Sequence, residues 1–107
     1  MQTQYEVAGT CLIIRVPQEL DHHYADIMRA EVELLMHIHR TRDLVFDFED
    51  TEFMDSSGIG VLIGRSRNLG FRNGVVYARN LNSRVNKIFQ ASGLHKIIYV
   101  IKEETTV

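Results

Sequence analysis

The sequence predicts an α/β domain: a mixed, mostly parallel sheet of about five strands flanked by helices. Three observations predict it. Apolar, β-branched runs alternate with runs of helical periodicity. The connections between the later strands are long enough for helical crossovers, which parallel strands require. With 107 residues the chain holds one core, so residues 1–107 read as a single domain.

The elements follow in order. Thr10 to Val16, "TCLIIRV", is β-branched and closed by Pro17, and Met1 to Val7 pairs with it as a hairpin through Ala8-Gly9. Cys11 falls inside that run and reads as a buried strand residue, without a second cysteine for an internal disulfide. In "LDHHYADIMRAEVELLMHIHRT", Ala25, Met28, Val32 and Leu35 recur at helical spacing, with Asp21 placed as the cap. "LVFDF", Leu44 to Phe48, is a strand with Leu44, Phe46 and Phe48 on one face. A second helix follows, with Ile59, Leu62, Ile63, Ser66 and Leu69 on one side and Gly70 at its stop. Val75 to Ala78 is the next strand. Asn82 or Ser83 caps a short helix through Val85, Ile88 and Phe89, which ends at Gly93 with Leu94 as its hydrophobic contact. Lys96 to Ile101, "KIIYVI", closes the sheet.

Composition removes several classes of function. A net charge of -2, with no basic block, gives no electrostatic footprint for nucleic acid. No apolar run approaches the roughly 20 residues of a membrane span. "MQTQYEVAG" lacks the charged start and apolar stretch of a signal peptide, so a cytoplasmic location is expected.

The chemistry concentrates in "FMDSSGIG", where a strand region gives way to a helix. Asp55 or Ser56 suits the N-cap, and Ser57 then stands in the first turn, where backbone N–H groups and the dipole favour an anion. The same position can therefore hold a cap or an acceptor of phosphate. "GIGVLIG" misses the dinucleotide fingerprint by one residue and lacks a P-loop lysine, so Gly58, Gly60 and Gly64 read as close helix packing. A serine hydrolase would need a base near Ser56 or Ser57. His22 and His23, expected in a loop at the same end, are the candidates, but the G-x-S-x-G elbow is absent. No metal is expected, because neither His22-His23 nor His37/His39 has the spacing of a helical zinc site. Arg65, Arg67 and Arg72 read as a solvated face that could meet an acidic partner.

"FMDSSGIGVLIGR" resembles the characteristic motif of STAS domains, the anti-sigma factor antagonists of bacteria. "ELDHHYA", "DLVFDFEDTEFMDSSG" and "RVNKIFQASGLHKII" match in order, so the resemblance spans nearly the whole chain. "ELDHH" with "DSSG" is most similar to the sporulation branch, the anti-sigma F factor antagonists of endospore-forming Firmicutes. General-stress antagonists are the alternative. The resemblance implies a non-enzymatic switch with no cofactor of its own. Its unmodified form binds an anti-sigma factor that is also a serine kinase, and so frees the sigma factor. Ser57 is the implied phosphorylation site, and a serine phosphatase restores binding; ATP and magnesium belong to the kinase. Asp21, His22, Asp55, Ser56, Ser57, Gly58, Ile59 and Gly60 are the expected partner-binding residues. Three departures stand out: Gln18 where the family often has glycine, "ARNLNSRV" without a Ser-Pro, and a chain end soon after "KEETTV", where the family's C-terminal helix is expected to be missing or short.

Overall fold

The computed structural model describes residues 1–102, so the expectation about the segment after "KE" lies outside the described residues. Strands β1 (Gln4–Ala8) and β2 (Cys11–Arg15) form the N-terminal hairpin, with Ala8 opposite Cys11. A two-residue strand β3 (Glu19–Leu20) leads into α1 (His22–His39), which returns to β4 (Asp43–Asp47). A second short strand, β5 (Phe53–Met54), leads into α2 (Ser56–Phe71) and then β6 (Val76–Arg79). The chain continues through α3 (Ser83–Ser92) and a 3-10 turn (Leu94–Lys96) to β7 (Tyr99–Ile101).

The main sheet runs β1-β2-β4-β6-β7, with β1 antiparallel and the other strands parallel, as the pattern predicted. Its parallel strands follow chain order across the sheet. Right-handed crossovers that all step the same way return every helix to the same face. On that face Leu12, Leu44 and Val76 are in register, as are Ile14, Phe46 and Ala78, and all six are buried. Phe48 and Phe89 meet edge to face at 5.3 Å, which ties α3 to the core. The predicted stripe of α1, Ala25, Met28, Val32 and Leu35, is buried, and Met36 joins it.

Several boundaries differ from expectation for physical reasons. Helix α2 passes Gly70 and stops only where Asn73 turns left-handed at φ 59. Gly74 makes the close return: a Cβ there would lie 2.4 Å from the Arg42 carbonyl oxygen. The buried face of α2 is Gly58, Val61, Leu62 and Leu69, whereas Ile59 and Ile63 are half-buried at its margin. Strand β7 begins at Tyr99 because the 3-10 turn takes up the preceding residues. Gly93 adopts the left-handed C-cap at φ 81, as its position before Leu94 indicated. Cys11 is half-buried rather than buried; burial, then the nearby Asp43, pushes its thiol pKa up, and Arg79 opposes them. A thiol held protonated is a poor nucleophile.

Candidate functional site at the paired starts of two helices

The site is hung from a feature with no sequence pattern of its own, the two-residue parallel ladder between β3 and β5. Glu19 faces Phe53 and Leu20 faces Met54, and the Asp55 N–H donates to the Leu20 carbonyl at 3.2 Å. Asp21 and Asp55 therefore leave adjacent strands side by side, and each begins a helix. The Asp21 carboxylate accepts the Tyr24 N–H at 3.0 Å. Asp55 Oδ1 accepts two, from Ser57 at 2.9 Å and Gly58 at 3.1 Å. Asp55, rather than Ser56, is the cap.

Gly58 presses the first turn of α2 onto β3. A Cβ there would lie 2.6 Å from the Leu20 carbonyl oxygen and 2.8 Å from Leu20 Cγ. The expectation of close packing thus holds for Gly58. For Gly60 and Gly64 it is corrected: a Cβ at either would meet nothing within 4 Å, so these two leave the exposed face of α2 smooth rather than packed.

The loops beneath are fastened by hydrogen bonds. The Gln18 carbonyl accepts from the Glu52 and Phe53 N–H groups at 2.8 and 3.2 Å, and its side-chain amide donates to Glu52 at 3.0 Å. Glutamine in place of the family's frequent glycine thus adds a tie to β5. Buried Thr51 donates its hydroxyl to the Val16 carbonyl at 3.1 Å, and the Asn82 side chain donates to the Thr51 carbonyl at 2.9 Å. Asn82 also caps α3 by accepting the Val85 N–H, so three helix starts meet at one end of the molecule.

Ser56 and His22 are exposed, as is Gly60; Ser57, Asp21 and Asp55 are half-buried. Ile59 packs against the core, which limits what it can offer a partner. His22 and His23 are not in a loop but in the first turn of α1. Among the described residues neither makes a hydrogen bond to Ser56 or Ser57. No group of three or more metal-ligating side chains occurs among the described residues. Among the described residues, no helix is long and apolar enough to cross a membrane. Arg65 is not part of a solvated face; its side chain is 12% exposed and reaches Glu33 of α1 at 4.0 Å.

The sequence reading missed two exposed aromatic side chains at this end, Phe53 (49% exposed) and Tyr24 (41%). An aromatic at the start of a motif that otherwise alternates toward the core was the available signal. The surface around them is acidic, with Glu19, Asp26, Glu49, Asp50 and Glu52 exposed beside Asp21 and Asp55. Arg15 offsets part of it, bridging Glu49 at 3.4 Å and Asp50 at 3.1 Å. An adjoining cleft of about 710 Å³ is lined by Glu49, Asp50 and Glu52, with Arg15 as the cation of its lining. That balance suits a cationic group and opposes a nucleotide phosphate.

On the open face of the sheet, Asp47 is 2% exposed. Burial alone would raise its pKa, but hydrogen bonds from Asn80 and the Glu49 N–H, together with Arg79, hold it below the usual carboxylate range.

A five-stranded mixed sheet with its helices on one face, and a D-S-S-G run opening the second helix, describe the STAS class of domain. The STAS domain family model matches residues 2–107, and the chain belongs to that family. The anti-sigma F factor antagonist of Paenibacillus polymyxa is 31% identical over 104 residues, covering 97% of this chain and 89% of its own length. That of Lysinibacillus sphaericus is 34% identical over 88 residues, 82% of this chain and 75% of its own. Among solved structures, the unphosphorylated anti-sigma factor antagonist SpoIIAA superposes with a TM-score of 0.76 at 29% identity, over 95% of this chain and 89% of its own. The phosphorylated form of the Bacillus cell fate determinant SpoIIAA gives 0.73 at 33%, over 94% and 92%.

Proposed function

We propose that this chain is an anti-sigma factor antagonist switched by phosphorylation of Ser57, acting in the cytoplasm on a sporulation pathway. The observation that carries the reading is Ser57 itself, in the first turn of a helix capped by Asp55 at an exposed, acidic end of the domain. The names of the relatives at 31% and 34% identity support the antagonist role.

In this reading the unmodified acidic end docks on an anti-sigma factor. That partner's kinase activity transfers the γ-phosphoryl group of ATP to Ser57 Oγ, leaving ADP and a proton. The switch then follows from electrostatics. Phosphate adds about 1.5 to 2 negative charges. Asp55 already occupies the Ser57 and Gly58 N–H groups, so the new charge sits beside a carboxylate and finds those two donors taken. Water solvates the phosphate in the free domain, and the fold survives. Against a docked partner the same charge is crowded, and every 1.4 kcal/mol or so of penalty weakens binding tenfold. A serine phosphatase reverses the change.

The test is incubation with the anti-sigma kinase of the same organism and ATP-magnesium, followed by mass spectrometry. Ser57→Ala should abolish incorporation; incorporation at the unmodified rate would place the acceptor elsewhere. Ser57→Asp should weaken partner binding at an almost unchanged thermal midpoint. Binding across a panel of that organism's anti-sigma proteins distinguishes a sporulation from a general-stress partner.

A further inference from the structure

The end of the molecule opposite Ser57 carries its own surface. A cleft of about 810 Å³ lies between the C-terminal half of α1 and the end of α2, lined among others by Leu34, His37, Ile38, Arg40, Thr41 and Arg72. Leu34 is 48% exposed, Ile38 57%, and Phe71, at the end of α2, 90%. Arg40, Arg67 and Arg72 form no ion pair among the described residues, whereas Arg42 is taken by Asp43 and Arg65 by Glu33, the one carboxylate of the lining. Thr41 Oγ1 is buried with no hydrogen-bond partner among the described residues. Arginines near helix C-termini complement the dipole. That accounts for the charges but not for three large apolar side chains left in water.

We propose that this surface docks the acidic end of a second copy, so that the chain associates head to tail. The two ends are complementary in kind. One presents Glu19, Asp21, Glu52 and Asp55 around exposed Phe53 and Tyr24, outnumbering the exposed Arg84 at the start of α3; the other presents Arg40 and Arg72 with exposed Leu34 and Ile38 at the cleft, and Arg67 and Phe71 on the last turns of α2. Helices α1 and α2 start at the acidic end and finish at the basic one, and the 18 residues of α1 separate them by about 27 Å. That exceeds the Debye length of about 8–10 Å, so the two ends of one copy cannot neutralise each other. A second copy can, and a net charge of -2 leaves little overall repulsion between copies. The contact joins different surfaces, so it builds open chains or rings rather than a closed two-fold dimer. It covers the Ser57 end of each copy it engages, yet its formation does not depend on the reading of Ser57.

Sedimentation of the whole chain tests this. At about 0.05 M salt the weight-average mass should rise between about 10 µM and about 1 mM, and fall back to the monomer near 0.5 M salt. Two charge-reversed proteins decide the geometry: R40E/R72E, and E19R/E52R. Each alone should stay monomeric, while their equimolar mixture should associate at least tenfold more strongly than either. Phe71→Ser should weaken wild-type association about tenfold, with circular dichroism confirming the fold of every variant. A wild-type monomer throughout the range, or a mixture no different from its components, overturns the proposal. So does a chain that stays monomeric yet binds an amphipathic glutamate-rich helical peptide at the Arg72 cleft, which would assign the surface to another protein.

Discussion

Replacing Gly58 with alanine probes how the Ser57 end is held together. The added methyl would start 2.6 Å from the Leu20 carbonyl oxygen, 2.8 Å from Leu20 Cγ and 3.0 Å from Leu20 Cδ2. Carbon atoms rest at about 3.5–4.0 Å, so relief needs a shift of several tenths of an ångström. A side chain could rotate away, but the Leu20 carbonyl belongs to the β3 backbone and accepts the Asp55 N–H. Overpacking of this kind costs about 1–3 kcal/mol. Alanine's better helix propensity returns up to about 1 kcal/mol. The net loss is up to about 2 kcal/mol, or a thermal midpoint lower by up to roughly 16 °C for a domain of this size. Gly60→Ala is the control: its methyl meets nothing within 4 Å, so only the propensity gain remains and the midpoint should rise by about 4–8 °C. Thermal melts by circular dichroism, checked by urea midpoints, give both numbers. If Gly58→Ala raised the midpoint as far as Gly60→Ala does, β3 would not be pressing on α2.

Three further outcomes follow from the same geometry. Asp55→Ala removes the acceptor of two N–H groups and should cost about 0.5–2 kcal/mol in urea unfolding, with Asp55→Asn recovering much of it; equal stability of all three would mean that the cap contributes nothing. The depressed pKa of Asp47 makes its contribution complete above the ordinary carboxylate value near 4, and lost as pH falls through the lower value in the folded state. Asp47→Asn should therefore be less stable by about 1–3 kcal/mol at pH 7, with the gap closing progressively as pH falls below the ordinary carboxylate range, whereas a gap independent of pH would refute the role of its charge. Glu31 accepts the Gln2 and Thr3 N–H groups and the Thr3 hydroxyl, so Glu31→Gln should speed amide exchange at Gln2 and Thr3 while leaving Val32 protected.

Much of this protein was legible in the chain because the forces involved are local. The strands of Leu12 to Ile14 and Leu44 to Phe48, the stripe of α1, and the caps at Asp21, Asn82 and Gly93 each depend on neighbours within a few residues. Placing Ser57 in the first turn of a helix needed no more than that. The stop at Gly70 was misplaced because the chain turns at left-handed Asn73 and then returns through Gly74, whose approach to the Arg42 carbonyl exists only once α2 lies on the sheet.

Tertiary structure alone decided how the site is assembled. Strands β3 and β5 are two residues each, too short to leave a period, yet their pairing sets Asp21 beside Asp55 and brings the Leu20 carbonyl under Gly58. Three glycines that look alike in "GIGVLIG" divide into one packed and two open for the same reason, and Arg65 turns inward while Arg67 stays in water. The gathering of most exposed carboxylates at one end, where Arg84 is also exposed, and of Arg40 and Arg72 at the other arises from crossovers that all run the same way. Segments distant along the chain are thereby aligned by their ends, and no reading of neighbours in the sequence registers that alignment.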